Sequence, residues 1–182
     1  MVKYAAFLRG INVGGNKSVK MDELKKVFEE MGYKNIKTVL ASGNVLFETK
    51  QSNTNSLAKK IEENLKKIFG IQISVIVRSI DELQYLSYTN PFEKINITPQ
   101  TRLYVTLLSE KSKSKIKIPY ESPDGNFKIL RVSGKEIFSV LNVTEGKTVE
   151  LMDVIEKEFG KKVTTRNWNT IMRLLKQDKI EL

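Results

Sequence analysis

The feature that most constrains the fold is a change of hydrophobic period along the first half of the chain. Residues 3–9 alternate as a strand, Met21–Met31 carry apolar side chains at helical spacing, and two short strands follow around Ser42-Gly43-Asn44. A second amphipathic helix ends at Gly70, and the continuous apolar run at residues 71–77, which is followed by Arg78, predicts the strand that completes the order β-α-β-β-α-β. This order predicts a ferredoxin-like subdomain, in which two helices cover one face of an antiparallel sheet.

The second half of the chain also mixes strands and helices. Ser79 and Glu82 have capping-box spacing and predict a short helix that Asn90-Pro91 ends. We also expect a strand at 102–108, a hairpin around Ser133-Gly134-Lys135, and final helices at 149–159 and 166–177. The fold class is therefore α+β, with two packed α/β subdomains, residues 1–78 and 79–182.

Two residue types are missing, and their absence excludes several kinds of chemistry. The 182-residue chain has no cysteine and no histidine. Disulfides, thiol nucleophiles, zinc ribbons and imidazole triads are therefore excluded. We expect no metal and no cofactor, and no catalytic residue is assigned. Because no apolar run reaches membrane-spanning length, we expect a cytoplasmic protein without a membrane partner.

The formal net charge of +10 is compatible with a nucleic-acid partner, because positive charge attracts phosphate backbones. Its distribution weakens that interpretation. Residues 1–90 hold 14 basic and 9 acidic side chains, and residues 91–182 hold 17 and 12, so each half carries +5. The lysine-rich run 110–117 is interpreted as a solvated loop or an edge strand. Only six of the 31 basic residues are arginines, and Arg9 and Arg166 fall in the two most unusual motifs.

The first motif is the glycine-rich connection from Gly10 to Ser18. Gly10 and Gly15 have nearly the spacing of the two glycines of a phosphate-binding P-loop, but Asn16 separates Gly15 from the lysine. No later strand ends in an evident magnesium-binding aspartate, so we do not favour a nucleoside triphosphatase. The connection is interpreted as an anion-binding or polar-ligand loop, and the alternative is a long structured turn. Its candidate ligand-binding residues are Arg9, Asn12, Gly14, Gly15 and Lys17.

The second motif spans residues 164–170, at the predicted start of the last helix. Thr165 is expected to cap this helix and Arg166 to occupy its first position. A positive charge there opposes the helix dipole by about 0.3 to 1 kcal/mol, and a bound anion would relieve the conflict. The alternative is that Arg166 pairs with a carboxylate. The candidate ligand-binding residues are Arg166, Asn167 and Asn169.

The third motif is Ser42-Gly43-Asn44, a tight polar turn. Ser42 and Asn44 are candidates to present a hydroxyl and an amide to the same ligand. Ser42 is not favoured as a nucleophile, because no histidine is present to activate it.

Together these motifs resemble one known family. Residues 8–15 (LRGINVGG), 42–45 (SGNV) and 165–170 (TRNWNT) are similar to the bacterial domain-of-unknown-function family 1697, over essentially the whole chain. The resemblance implies a small cytoplasmic bacterial protein with two ferredoxin-like α+β subdomains and no established activity. One departure is Val19-Lys20-Met21, where many relatives resemble Val-Pro-Met.

The leading functional hypothesis is a binding protein whose first loop and last helix converge on one polar cleft. Arg9, Asn12, Arg166 and Asn169 would bind an anionic or nucleotide-like ligand there. Two alternatives stay open. One is a sequence-independent nucleic-acid binder that uses dispersed lysines, and the other is an enzyme that acts on a phosphorylated metabolite without histidine, cysteine or a transition metal.

Overall fold

The computed structural model describes residues 1–13, 18–143 and 150–179. The chain divides into two compact units. Residues 1–85 and the segment that begins at Arg173 form the first unit, and Leu86–Met172 form the second. Each unit contains one antiparallel sheet, which confirms the predicted α+β class.

The first unit has the predicted order of elements. The elements are β1 (Val2–Leu8), α1 (Met21–Glu30), β2 (Lys34–Val39), β3 (Asn44–Thr49), α2 (Thr54–Phe69) and β4 (Val75–Ser79). The four strands are all antiparallel, in the order β2-β3-β1-β4, which is consistent with the ferredoxin-like interpretation. Ala5 of β1 lies opposite Leu46 on one side and Arg78 on the other.

Alternate residues of β1 place the core of this unit on one face of the sheet. Tyr4, Ala6 and Leu8 are buried there with apolar side chains of α1 and α2. Burial of each large apolar side chain contributes about 1.5 to 3 kcal/mol. Gly32 follows the end of helix α1, and its φ of 79° turns the chain so that the N–H of Tyr33 donates to the carbonyl of Phe28 at 3.3 Å. The N–H of Gly32 itself donates to the carbonyl of Glu29 at 2.9 Å.

The remaining elements are α3 (Ile80–Tyr88), β5 (Thr101–Leu108), β6 (Tyr120–Glu121), β7 (Phe127–Ser133), β8 (Glu136–Asn142), α4 (Glu150–Phe159), β9 (Val163–Asn167) and α5 (Trp168–Lys179). The second unit is built on a five-stranded sheet in the order β6-β7-β8-β5-β9. Leu151 and Ile155 of helix α4 belong to a core cluster with residues of β5, β7, β8 and β9. The predicted capping box of Ser79 and Glu82 at the start of α3 is confirmed. Helices α3 and α5 each have residues in both units.

Two predicted boundaries are wrong. The apolar run from Ile71 is not strand throughout, because β4 begins only at Val75. The last helix begins at Trp168, and Arg166 lies in β9. The reason is long-range pairing: the backbone of β9 forms a ladder with β5, in which Arg166 lies opposite Val105.

Candidate ligand-binding site

The glycine-rich loop leaves the sheet of the first unit at the end of β1. The N–H of Leu8 donates to the carbonyl of Gly43 at 2.8 Å, and the N–H of Arg9 donates to the carbonyl of Ser74 at 2.8 Å. Gly10 then takes a φ of 65°, in the left-handed region that favours glycine. The start of the loop is therefore fixed to neighbouring segments on both sides, and Arg9 is partly exposed there.

Asn12 closes the loop and joins it to the turn between β2 and β3. Its side-chain oxygen accepts from the N–H of Val19 at 2.8 Å, and its amide nitrogen donates to the carbonyls of Val19 and Ala41 at 2.9 and 2.8 Å. Its φ of 55° is one that asparagine tolerates better than most residues. The Asn12 side chain thus works as a structural tie between backbone segments.

The turn at residues 40–43 packs closely against this loop. A Cβ atom at Gly43 would lie 2.6 Å from Cδ1 of Ile11 and 2.9 Å from Cβ of Leu8, so only glycine fits. Asn44 is fully buried, and its side-chain amide donates to the carbonyl of Val39 at 2.9 Å and to Oγ of Ser42 at 3.0 Å. We call residues 8–12 and 41–44 together the loop–turn cluster.

The structure therefore brings the first and third motifs together in the first unit. Arg9, Asn12, Ser42 and Asn44 belong to the loop–turn cluster, whereas Gly14, Gly15 and Lys17 lie outside the described residues. The buried amide of Asn44 and the amide of Asn12 both bind backbone carbonyls. Arg9 is accordingly the charged member of the described cluster.

The C-terminal motif has a different structure from the predicted one. Thr165 does not cap a helix, because its hydroxyl is hydrogen bonded to that of Thr106 at 2.7 Å across the β5–β9 ladder. Asn167 takes the capping position, and its side-chain oxygen accepts from the N–H of Asn169 at 2.9 Å. The predicted conflict between Arg166 and the helix dipole does not exist, since Arg166 precedes the helix.

Arg166 is buried in the second unit. Its guanidinium donates to Oγ1 of Thr164 at 2.7 Å and to the carbonyl of Thr165 at 3.0 Å. Burial lowers the pKa of Arg166 to about 10, so it remains protonated at neutral pH. Asn169 is exposed at the start of α5. The loop–turn cluster belongs to the first unit and Arg166 to the second, and their predicted shared cleft stays a prediction.

One buried arginine was missed by the sequence analysis. Arg78 is only 3% exposed on β4, and its Nη1 donates to the carbonyl of Val77 at 3.1 Å. The available signal was an arginine that directly follows three apolar residues of a buried strand, where a charge needs polar partners.

The described residues limit the chemistry that this cluster supports. They contain no group of three or more carboxylates placed to hold a metal ion. No helix among them is both long and apolar enough to cross a membrane. The cluster offers an arginine beside a fixed glycine-rich turn, an arrangement suited to contact with an anion.

Comparisons with known proteins give a family and a fold. The sequence profile of a family described as "Protein of unknown function (DUF1697)" matches residues 1–138. The chain is also similar to a solved structure described as "conserved bacterial protein SP0830 from Streptococcus pneumoniae". That likeness has a TM-score of 0.72 at 20% identity, covers 98% of this chain and 99% of the other, and shows the fold alone. No curated protein matches the chain significantly.

Proposed function

The chain belongs to the DUF1697 family of proteins of unknown function, and we propose that it binds an anionic, nucleotide-like ligand at the loop–turn cluster of its first unit. Arg9 is the proposed ligand contact, and Asn12, Ser42 and Asn44 are positioning residues. Lys17, from the same loop of the sequence, is a proposed second cation. A cytoplasmic location stays a prediction.

The observation that carries the proposal is the tie made by Asn12. One side chain holds residues 12 and 19 together and fixes both to the carbonyl of Ala41. A glycine-rich loop with fixed ends loses less conformational entropy when it closes on a ligand, because that ordering has already occurred during folding. Arg9 is partly exposed at the fixed start of this loop and supplies the positive charge that an anionic ligand requires.

The test is a thermal-shift screen of the full chain against nucleotides, phosphorylated metabolites and oligonucleotides. A ligand present at about a hundred times its Kd should stabilise the protein by about 2.7 kcal/mol. Arg9→Gln should reduce this shift strongly because it removes the charged contact. The matched control is Arg131→Gln, which removes the same charge from an exposed residue of β7.

The variant Asn12→Ala distinguishes the positioning role proposed for Asn12 from the direct ligand contact proposed for Arg9. It should weaken ligand binding while also lowering the melting temperature of the free protein, because three backbone groups lose their partner. Arg9→Gln should affect binding more than free stability. If every hit stabilises Arg9→Gln as much as the unmodified chain, the loop–turn cluster is not the binding site.

A further inference from the structure

The second unit contains a pocket that is independent of the loop–turn cluster. It has a volume of about 440 Å³ and lies between the segment 108–114, which begins at the last residue of β5, and the segment 158–162, which runs from the end of α4 to the start of β9. This volume is within the range of small-molecule sites in proteins, roughly 300 to 1,000 Å³. Four lysines and three serines are among its lining residues.

Hydrogen bonds between the two segments hold the walls of this pocket in place. The N–H of Ser109 donates to the carbonyl of Lys162 at 3.3 Å, and Oγ of Ser114 donates to Oε2 of Glu158 at 3.3 Å. On the far side, the N–H of Ser112 donates to the carbonyl of Gly134 in the β7–β8 turn at 3.4 Å. The pocket is therefore formed by the folded chain before any ligand arrives.

Lysines from both walls line the pocket. Lys111 and Lys113 come from one segment, and Lys161 and Lys162 from the other, almost fifty residues later in the chain. In the part of the chain that the structure describes, Lys111, Lys113 and Lys162 form no ion pair with a carboxylate. The lining also contains two carboxylates, Glu110 and Glu158, and the second of these accepts the hydrogen bond from Ser114.

The carboxyl end of helix α4 offsets part of the positive charge of these lysines, but not all of it. Lys161 and Lys162 follow the carboxyl end of α4, whose dipole is equivalent to about half a negative charge. That half charge is less than the three positive charges of Lys111, Lys113 and Lys162, which form no ion pair among the described residues. These charges belong to residues that line one preformed concave surface, where like charges add to the same positive potential.

We propose that this lysine–serine pocket binds a phosphorylated small molecule of nucleotide size. Lysine binds phosphate as a point charge, and a serine hydroxyl donates a hydrogen bond to a phosphate oxygen. Ser109 and Ser112 supply these hydroxyls. The Ser112 oxygen accepts from the N–H of Ser114 at 3.1 Å, which leaves its O–H to donate, whereas the Ser114 hydroxyl donates to Glu158. The proposal concerns a different site from the loop–turn cluster and does not depend on it.

The experiment is isothermal titration calorimetry of the full chain with ADP, inorganic pyrophosphate and adenosine at constant ionic strength. ADP and pyrophosphate should bind, and adenosine should not. The double variants Lys111→Gln/Lys113→Gln and Lys161→Gln/Lys162→Gln should each weaken ADP binding by about tenfold or more, because each removes charge-assisted contacts. All four lysines are exposed, so the variants should keep their fold.

The matched control is Lys66→Gln/Lys67→Gln, which removes two exposed lysines from the last turn of α2. It lowers the net charge by the same amount at another helix end and should leave ADP binding unchanged. In amide NMR spectra, ADP should shift the signals of Ser109, Ser112 and Lys162, and Arg9→Gln should not alter these shifts. Equal weakening by all three double variants, adenosine binding as tightly as ADP, or failure of both phosphate probes to bind would overturn the proposal.

Discussion

At the scale of single residues, the loop–turn cluster depends on two residues, Asn12 and Gly43, whose left-handed backbone conformations few residue types tolerate. Asn12 supplies three hydrogen bonds at a φ of 55°, and Gly43 leaves room for Ile11 at a φ of 74°. Sequence reasoning singled out both motifs from their unusual composition. It did not predict their contact, because Ala41 is 29 residues away from Asn12 and only the folded sheet brings them together.

Gly43→Ala should destabilise the protein by more than the cost of placing an alanine in the left-handed backbone conformation. Its Cβ would overlap the side chains of Leu8 and Ile11, whereas nothing lies within 4 Å of a Cβ at Gly70, which has a similar φ of 69°. Gly43→Ala should therefore lower the free energy of unfolding by about 1 to 3 kcal/mol more than Gly70→Ala. Urea denaturation of both variants measures the difference, and equal losses would contradict the close packing.

Tyr33→Phe should leave stability unchanged or raise it by up to about 2 kcal/mol. The Tyr33 hydroxyl is buried without a hydrogen-bond partner among the described residues, while its ring packs on Phe47 at 4.7 Å between centroids. The variant keeps the ring and removes the unsatisfied group. A clear loss of stability would show that this hydroxyl makes a favourable contact.

The same variant should change the response to alkaline pH. Burial raises the pKa of Tyr33 above its ordinary value of 10.0, so the unfolded chain loses this proton first. Stability is therefore lost as pH rises above that value, and Tyr33→Phe removes this contribution. Unfolding free energies measured at neutral pH and at alkaline pH should diverge in favour of the variant, and a constant difference would contradict the raised pKa.

At the scale of secondary-structure elements, local signals predicted the start of α3 correctly and the starts of β4 and α5 wrongly. Ser79 and Glu82 form the expected capping box of α3: the N–H of Glu82 donates to Oγ of Ser79 at 3.1 Å, and that of Ser79 donates to Oε2 of Glu82 at 2.8 Å. The prediction of the start of α5 was wrong because threonine and asparagine are both favoured N-cap residues, so Thr165 and Asn167 are equally good candidates from the sequence. Only the pairing of β9 with β5, a long-range interaction, selects Asn167.

Asn167→Ala should cost about 0.5 to 2 kcal/mol and speed hydrogen exchange at the amide of Asn169, because that N–H loses its capping oxygen. Asn169→Ala is the matched control, since the exposed Asn169 side chain makes no hydrogen bond among the described residues. Thr165→Ala should leave the Asn169 amide protected. Faster exchange in Thr165→Ala instead would restore the original interpretation of the cap.

At the scale of the whole molecule, the sequence predicted the α+β class and the order of elements in the first unit. It did not predict that this unit is discontinuous. Helix α5 begins in the second unit and ends in the first, where Asp178 pairs with Lys3 at 2.9 Å and the carbonyl of Gln177 accepts from Lys37 at 3.5 Å. Amphipathic periodicity shows that a helix buries one face, but not which sheet receives it.

The Lys3–Asp178 pair should couple more strongly than an exposed pair. The side chains of Lys3 and Asp178 are 42% and 14% exposed, whereas those of Lys25 and Glu29, 3.9 Å apart on α1, are 48% and 52% exposed. A double-mutant cycle with Lys3→Gln and Asp178→Asn should give about 0.5 to 1 kcal/mol, and the α1 cycle less. Added salt should reduce both, and equal coupling energies would contradict a docked α5.

The discontinuity of the first unit also determines when its parts become available during synthesis of the chain. Synthesis delivers residues 1–85 first, then all of the second unit, and only then the segment that begins at Arg173. Domains generally fold as units during synthesis, with the N-terminal domain first. The first unit, however, stays incomplete until the segment that begins at Arg173 has been synthesised, after the second unit. Lys3 and Lys37 therefore meet their partners on α5, Asp178 and Gln177, only after the whole of the second unit has been synthesised.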